Sequence, residues 1–190
     1  MKYKSHLGGL TPNQFLKRHW QKTPLLIPNS LPAGDWLLSL EELLELSQNP
    51  LCSTRLVVRN HSDYHVSYGP ITKKILRDLP QKNWTLLVQG VNHAHHEANE
   101  LLDLFSFMPY ARLDDVMVSY AAPGGSVGPH FDSYDVFLLQ GGGSRRWQVA
   151  EPRSLELLPH QDLKILKTFR PEGELSLILI IRCRPPTVLN

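Results

Sequence analysis

Apolar and polar positions in the first third of the chain alternate in ways that predict two short helices and a β-hairpin. Residues 11–14 read Thr-Pro-Asn-Gln, a capping box with proline at the first helical position, so a helix is predicted to begin there. Residues 39–42, Ser-Leu-Glu-Glu, form a second capping box ahead of a leucine stripe. Two extended runs, 55–58 and 64–68, flank the turn-forming residues 60–63, which indicates a hairpin.

Further apolar runs predict two more strands and two more helices. Prolines at both ends of residues 25–27 favour an extended passage there. A short helix is predicted from Pro70 to about Leu79, and residues 84–88, Trp-Thr-Leu-Leu-Val, have the pattern of a buried strand. Leucine and phenylalanine residues at helical spacing predict another helix at 98–107.

Three histidines, His93, His95 and His96, come directly before this last helix and are candidate metal ligands by residue type. Polar residues near a helix start are more often solvated or capping, because the first backbone N–H groups need acceptors. We therefore interpret these histidines as surface residues rather than as a metal site.

The stretch with the clearest chemistry begins at His130-Phe131-Asp132. On an extended segment the two-residue period places His130 and Asp132 on one face, as a two-ligand metal clamp. A histidine and a carboxylate, joined by a second histidine from elsewhere, form the facial triad of non-haem iron(II) oxygenases. Residues 141–143, three glycines, predict a loop between two strands, and the chain then returns through Arg145, whose planar fork suits a carboxylate.

The chain resembles a known family in the stretch from Tyr120 to Trp147, which is similar to the metal-binding half of a JmjC-type cupin. Within that group it most resembles the bacterial ribosomal oxygenases, iron(II)- and 2-oxoglutarate-dependent enzymes that hydroxylate an arginine of a large-subunit ribosomal protein. The similarity extends to residues 15–16, 20–27, 91–93 and 112–120, and it ends at about Gly173.

The resemblance implies a mainly β fold with flanking helices, a double-stranded β-helix whose carboxy-terminal strands are incomplete. It implies three segments: 1–115 leads into the barrel, 116–173 is the metal-binding half, and 174–190 is an aberrant apolar tail. It also implies that His130 and Asp132 are iron ligands, with 2-oxoglutarate as cosubstrate and O₂ as oxidant.

Two side chains are candidates for holding the cosubstrate. Arg145 shares a strand face with Trp147 and Val149, which favours an inward position where a dicarboxylate would neutralise it. The alternative is a surface arginine beside its neighbour in sequence. Ser119 faces away from Val118 if that segment is extended, and the spacing alone leaves its role open; the resemblance implies that Ser119 contacts 2-oxoglutarate.

The tail lacks the third ligand that such a cupin requires. His160 is the only histidine after Asp132, and its segment is turn-like, so we do not expect it to bind the metal. Where the family has an acidic turn, a strand, a proline pair and a histidine, residues 175–181 form an apolar run. Either the reading frame has changed, or this is a genuine short form in which residues 177–181 are a barrel strand. Two ligands would hold iron(II) weakly and without a defined geometry, which leaves open whether the 190-residue chain is active. Dimerisation as in the family is in doubt.

Composition restricts the remaining possibilities only slightly. With 42% hydrophobic and 20% charged residues the 190-residue chain is ordinary for one globular domain. Its net charge of +2 does not indicate direct binding to nucleic acid. Cys52 and Cys183 have no metal-ligand spacing, and the start Met1-Lys2-Tyr3 does not lead into a signal peptide or a membrane span. We expect a cytoplasmic protein.

Three functions agree with these observations. The first is a ribosomal-protein hydroxylase. The second is a degenerate cupin that keeps a binding pocket without turnover, and succinate production would separate it from the first. The third is a 2-oxoglutarate oxygenase with another protein or a small molecule as substrate, because fold-level similarity does not establish a substrate.

Overall fold

The computed structural model describes most of the chain, and for the last three strands and Ala150 it describes the backbone alone. The described residues are 6–30, 38–132, 134–150, 156–159, 163–170, 173–176, 179–181 and 188–189. The chain packs as two compact units. Unit 1 comprises Met1–Leu37, Gly128–Pro159 and Lys164–Asn190, and unit 2 comprises Leu38–Val127 and His160–Leu163.

Unit 1 contains one helix and seven strands in its described part. They are α1 (Pro12–Arg18), β1 (Leu25–Leu26), β6 (His130–Phe131), β7 (Val136–Leu138), β8 (Arg146–Ala150), β9 (Gly173–Ser176), β10 (Leu179–Ile181) and β11 (Val188–Leu189).

These strands form two antiparallel sheets. One sheet has the order β1-β10-β7, and the other has the order β6-β11-β8-β9. The apolar run of the tail therefore supplies a strand, with Ile180 opposite both Leu25 and Phe137. This pairing agrees with the interpretation of residues 177–181 as a barrel strand; residues 177 and 178 themselves lie outside the described ranges.

Aromatic side chains fix α1 against β7. Phe15 is 1% exposed, and its ring lies 6.1 Å from the rings of both Trp20 and Phe137. Trp20 stacks on Phe137 with centroids 5.6 Å apart. Offset aromatic pairs at these distances add to the stabilisation that burial gives, so the helix is held firmly on this strand.

Unit 2 contains three helices and four strands in its described part, with 3-10 turns at Val91–His93 and Tyr110–Arg112. The helices and strands are α2 (Leu40–Leu46), β2 (Ser53–Asn60), β3 (Asp63–Tyr68), α3 (Lys73–Arg77), β4 (Trp84–Gln89), α4 (His96–Asp103) and β5 (Val118–Ala121).

The four strands of unit 2 form one antiparallel sheet in the order β3-β2-β4-β5. Its alternate residues pack on the helices, because successive side chains of a strand point to opposite faces. The packed face buries a cluster that includes Leu43, Leu56, Trp84, Leu86 and Val88.

Several predicted elements are confirmed. Both capping boxes are formed, at Thr11 with Gln14 and at Ser39 with Glu42. The hairpin joins β2 and β3 in register through a turn in which His61 has a φ of +56°.

Two predicted helices have different ends. The helix expected from Pro70 begins at Lys73, because the Thr72 hydroxyl accepts from the Ile75 N–H and caps it there. The helix expected at 98–107 begins at His96 and ends at Asp103, since an apolar face indicates a helix without fixing its termini.

The predicted segments 1–115, 116–173 and 174–190 divide the chain by function, whereas the two compact units divide it by packing, so those boundaries stay a prediction. None of the helices in the described part of the chain has the length and apolar character of a membrane span.

Candidate metal and cosubstrate site

His130 and Asp132 lie side by side at the end of β6. The imidazole Nε2 and the carboxylate Oδ2 are 3.7 Å apart, and the side chains are 22% and 36% exposed. Residues i and i+2 of an extended segment share a face, which is why the spacing brings the two groups together. Both groups are thus partly shielded from water and directed to the same place.

A backbone carbonyl sets the tautomer of His130. Its Nδ1 lies 2.8 Å from the carbonyl oxygen of Gly128, and because a carbonyl only accepts, Nδ1 carries the proton and donates. The Nε2 lone pair is then left on the side of Asp132, as in histidine ligands whose other nitrogen donates to an acceptor. Gly128 has a φ of +78°, a conformation that glycine adopts without strain.

The donor pair fits a divalent first-row metal ion. Nitrogen and oxygen ligands bind such ions at about 2.0–2.2 Å, so two donors that share one ion lie within roughly 4.3 Å of each other. His130 and Asp132 meet this condition. Within the described ranges no group of three His, Cys, Asp or Glu side chains is placed to hold a metal. The predicted non-ligand His160 lies outside those ranges.

The backbone next to His130 comes from the tail. Strand β11 pairs antiparallel with β6, and Leu189 is the register partner of His130. The same strand pairs with β8 on its other side. The tail therefore joins the strand of the donor pair to the strand that follows Arg145.

The segment after Asp132 is anchored to the chain that follows α1. The Gln21 side-chain amide donates to Asp135 Oδ2 over 2.8 Å, and Gln21 has a φ of +53°. Phe137, two residues further on, packs against Phe15 and Trp20. The sequence did not reveal this anchor, because Gln21 and Asp135 are 114 residues apart and no local pattern indicates a side-chain contact over that separation.

Arg145 is half-buried and lies against an aromatic ring. Its Cζ is 5.5 Å from the ring centroid of Trp147, two residues along the chain. Burial lowers the pKa of the Arg145 guanidinium, because removal from water disfavours the charged form. Arg146, by contrast, is exposed. This placement differs from the surface alternative, while the binding of a cosubstrate by Arg145 stays a prediction.

Ser119 belongs to unit 2 and not to the unit that holds His130 and Asp132. It lies in β5, directly opposite Leu87 in β4, and it is exposed. The next residue, Tyr120, stacks on Trp84 with centroids 5.8 Å apart, so Ser119 faces away from that packed side of the sheet. Its contact with 2-oxoglutarate stays a prediction.

Two of the three histidines near α4 have local carboxylate neighbours. His95 Nδ1 lies 3.2 Å from a carboxylate oxygen of Glu97, and His96 Nε2 lies 3.7 Å from one of Glu100. Both are contacts within the helix start, as expected for polar residues at that position.

Comparison with known proteins gives a family match and close relatives. A family model described as a JmjC domain matches residues 100–178. A protein of Haemophilus influenzae named probable ribosomal oxygenase is 43% identical over 169 residues, which are 87% of this chain and 41% of that protein. The ribosomal protein uL16 3-hydroxylase of Escherichia coli is 41% identical over 150 residues, 78% of this chain and 40% of that enzyme. The chain thus spans about two fifths of the length of these curated relatives.

Solved structures also match this chain. The crystal structure of Escherichia coli YcfD superposes with a TM-score of 0.82 at 38% identity, covering 95% of this chain and 48% of that one. A structure of the same ribosomal oxygenase in complex with cobalt and 2-oxoglutarate gives a TM-score of 0.78 at 37% identity, covering 95% of this chain and 47% of that one. These matches confirm the predicted JmjC cupin fold, mainly β with flanking helices. Over the part of their length that it spans, the chain is similar to JmjC-domain ribosomal oxygenases.

Proposed function

We propose that this chain is the JmjC part of an iron(II)- and 2-oxoglutarate-dependent hydroxylase that acts on an arginine of a large-subunit ribosomal protein. The observation that carries the proposal is the donor pair, His130 Nε2 and Asp132 Oδ2, 3.7 Å apart with the imidazole proton held on the other nitrogen. The named activity of the Escherichia coli relative supports the substrate class. A ribosomal-protein substrate places the proposed reaction in the cytoplasm.

Each site residue has a defined task in this proposal. His130 and Asp132 hold the metal, and the Gly128 carbonyl keeps the proton on Nδ1 so that Nε2 can bind. Arg145 and Ser119 contact 2-oxoglutarate, as the family resemblance implies. The half-buried guanidinium of Arg145 can bind a carboxylate through two parallel N–H donors, and partial removal from water strengthens that pairing.

The bound metal and cosubstrate would supply the oxidation, in which one atom of O₂ enters a substrate C–H bond and the other enters succinate as CO₂ is released. The protein supplies orientation and a site that limits side reactions, as for other cofactor-dependent chemistry. The segment anchored by Gln21 and Asp135 keeps the chain beyond Asp132 in place during this reaction.

An anaerobic titration of the 190-residue chain with iron(II) and 2-oxoglutarate tests the proposal. We expect a visible charge-transfer band that His130→Ala abolishes, because the chelated complex needs the Nε2 donor. The matched control is His96→Ala, which removes an exposed histidine of unit 2 and should leave the band unchanged. A folded native chain without the band contradicts the proposal.

A second candidate function is a non-catalytic binding module of the same fold. One observation favours it: within the part of the chain that the structure describes, the metal donors are two rather than three. Succinate formation in air, with the ribosomal protein uL16 as substrate, distinguishes the hydroxylase from the binding module. Turnover with a mass increase of one oxygen atom on uL16 supports the hydroxylase; binding of uL16 without succinate supports the module.

A further inference from the structure

A hydrogen bond between Gln21 and Asp135 joins two parts of unit 1 that are far apart in the chain. The Gln21 side-chain amide donates to Asp135 Oδ2 over 2.8 Å. Gln21 lies shortly after α1, and Asp135 comes directly before β7. A hydrogen bond to a carboxylate is stronger than one between neutral groups, so this contact can hold the two parts together although it lies near the surface.

Aromatic packing and the backbone keep the Gln21 amide directed at Asp135. Trp20, the residue before Gln21, stacks on Phe137 with ring centroids 5.6 Å apart. Phe137 also packs against Phe15 of α1. Gln21 has a φ of +53°, which is uncommon for a residue other than glycine and persists where the surrounding contacts hold it. The amide is therefore presented by a segment that is already ordered.

The two metal donors are held in place by different contacts. His130 lies in the part of β6 that pairs with β11, and the carbonyl oxygen of Gly128 accepts from its Nδ1. The pairing described for β6 ends one residue before Asp132. Asp132 is three residues before Asp135, a stretch that spans at most about 11 Å when extended. Fixing Asp135 therefore restricts the positions that the Asp132 carboxylate can take.

We propose that Gln21 is a positioning residue that, through Asp135, keeps the Asp132 carboxylate where it can share a divalent metal ion with His130 Nε2. This inference rests on the proposed function, because it concerns the metal of that site. Gln21 itself touches neither the metal nor the reacting atoms. Metal ligands are oriented by the groups behind them, and loss of that support weakens metal binding. The Gly128 carbonyl has this task for His130, and the Gln21 amide has it for Asp132.

Calorimetry of the 190-residue chain with Co²⁺ tests the inference. We expect Gln21→Ala and Gln21→Met each to weaken binding about fivefold, less than the roughly 10–100-fold loss for a direct partner of a ligand, because Gln21 acts through the intervening chain. Gln21→Met keeps the length of the side chain and lacks only the donor. The matched control is Asn29→Ala, which removes an exposed amide at the same φ of +53° in unit 1 and should leave the affinity unchanged.

The sign of the change in affinity separates positioning from a direct effect of charge. Removal of the Gln21 amide leaves the Asp135 carboxylate charged and less neutralised, which by itself attracts a cation more strongly. A loss of Co²⁺ affinity in Gln21→Ala is therefore opposite to the electrostatic effect. In an Asp135→Ala background, Gln21→Ala should have little further effect, since a double-mutant cycle reports the coupling between the two side chains.

The visible absorption bands of bound Co²⁺ separate positioning from a general structural role. Their intensity depends on the coordination geometry, which the orientation of the ligands sets. At saturating Co²⁺ we expect altered bands in Gln21→Ala and native bands in Asn29→Ala, while urea unfolding of the metal-free chains has the same midpoint in both variants. A lower midpoint with native bands would show that Gln21 only stabilises the fold.

Three further results overturn the inference: native Co²⁺ affinity in Gln21→Met, an equal loss in Asn29→Ala, or an undiminished effect of Gln21→Ala in the absence of Asp135. If the native chain binds no Co²⁺, the proposed function fails and this inference fails with it. If the native chain binds Co²⁺ and the Gln21 variants bind it equally well, only the positioning role is lost.

Discussion

The two compact units differ in how far apart along the chain their strand partners lie. In unit 2, β2 pairs with β3 and β4, and β4 pairs with β5, so neighbours in the sheet are close in sequence. In unit 1, β1 pairs with β10 through Leu25 and Ile180, and β6 pairs with β11 through His130 and Leu189, so these partners are 155 and 59 residues apart. The donor pair and Arg145 lie in the unit that depends on long-range pairing.

The difference extends to strand length and burial. Strands β2, β3 and β4 have eight, six and six residues, and β4 is buried along nearly its whole length. Strands β6 and β7 have two and three residues, of intermediate burial. Long buried strands stabilise a sheet through their own packing, whereas short ones need the partners on both sides. The candidate site thus lies on some of the shortest strands of the molecule.

Among single substitutions, the largest loss of stability is expected from Leu86→Ala in unit 2. Leu86 is fully buried in the centre of β4, and its truncation should lower the free energy of unfolding by roughly 2–5 kcal/mol, from lost transfer energy and the cavity left behind. Urea unfolding followed by circular dichroism measures it. The control Ile75→Ala, at a residue 38% exposed in α3, should change stability by less than about 1 kcal/mol. A loss below about 1 kcal/mol for Leu86→Ala would contradict the packing described for this sheet.

Asp132→Asn in unit 1 is expected to weaken metal binding while leaving stability nearly unchanged. The asparagine keeps the shape of the side chain but removes the charge that a metal ion requires, so cobalt affinity should fall about 100-fold while unfolding changes by less than about 1 kcal/mol. Calorimetry with Co²⁺ measures the affinity. Asp114→Asn, at an exposed aspartate of unit 2, is the matched control and should bind as the native chain does. Equal Co²⁺ affinity of the two variants would show that Asp132 is not a metal ligand.

A smaller loss of metal affinity is expected from Gly128→Ala. This variant tests whether the Gly128 carbonyl orients the His130 imidazole for metal binding. Gly128 has a φ of +78°, so alanine there should cost about 1 kcal/mol and shift the carbonyl that orients the imidazole, lowering metal affinity about tenfold. Gly143→Ala is a close match, because Gly143 has a φ of +68° and open space around it. It should show the same strain without loss of metal binding. Equal affinity in both variants would show that the tautomer does not depend on this carbonyl.

The sequence was a good guide to elements whose signals lie within one stretch of chain. The capping boxes at Thr11 and Ser39 need only four residues each, and the hairpin needs a turn between two runs that pair with each other. The adjacency of His130 and Asp132 follows from strand periodicity alone.

Other features depended on which segments meet, and no local pattern encodes that. The pairing of Leu25 with Ile180, and of His130 with Leu189, is set by strands that are far apart in sequence. The tail could therefore be read as an aberrant apolar run, although its described residues pair with strands of unit 1. The contact of Gln21 with Asp135 was equally invisible, since a side-chain hydrogen bond over that separation leaves no spacing to detect.

The two capping boxes offer the finest comparison between the units, because their acceptors differ in charge. In α1 of unit 1 the Gln14 side chain accepts from the Thr11 N–H, and in α2 of unit 2 the Glu42 carboxylate accepts from the Ser39 N–H and hydroxyl. The backbone hydrogen bond from Ser39, followed by that from its hydroxyl, lowers the pKa of Glu42 from its ordinary value. A lowered carboxyl pKa means that the charged form is favoured in the folded state.

The lowered pKa of Glu42 determines how the stability of the fold changes with pH. A group whose folded pKa lies below its unfolded pKa adds stability above the unfolded value, and that stability is lost as the pH falls through the folded value. Glu42→Gln should therefore be less stable than the native chain at neutral pH, and the difference should disappear on the acid side of the lowered pKa. Gln14→Ala should lose its cap equally at every pH, because Gln14 does not titrate. Urea unfolding of both variants across the acid range checks this, and a Glu42→Gln difference that persists at low pH would mean that the charge of this carboxylate does not strengthen the cap of α2.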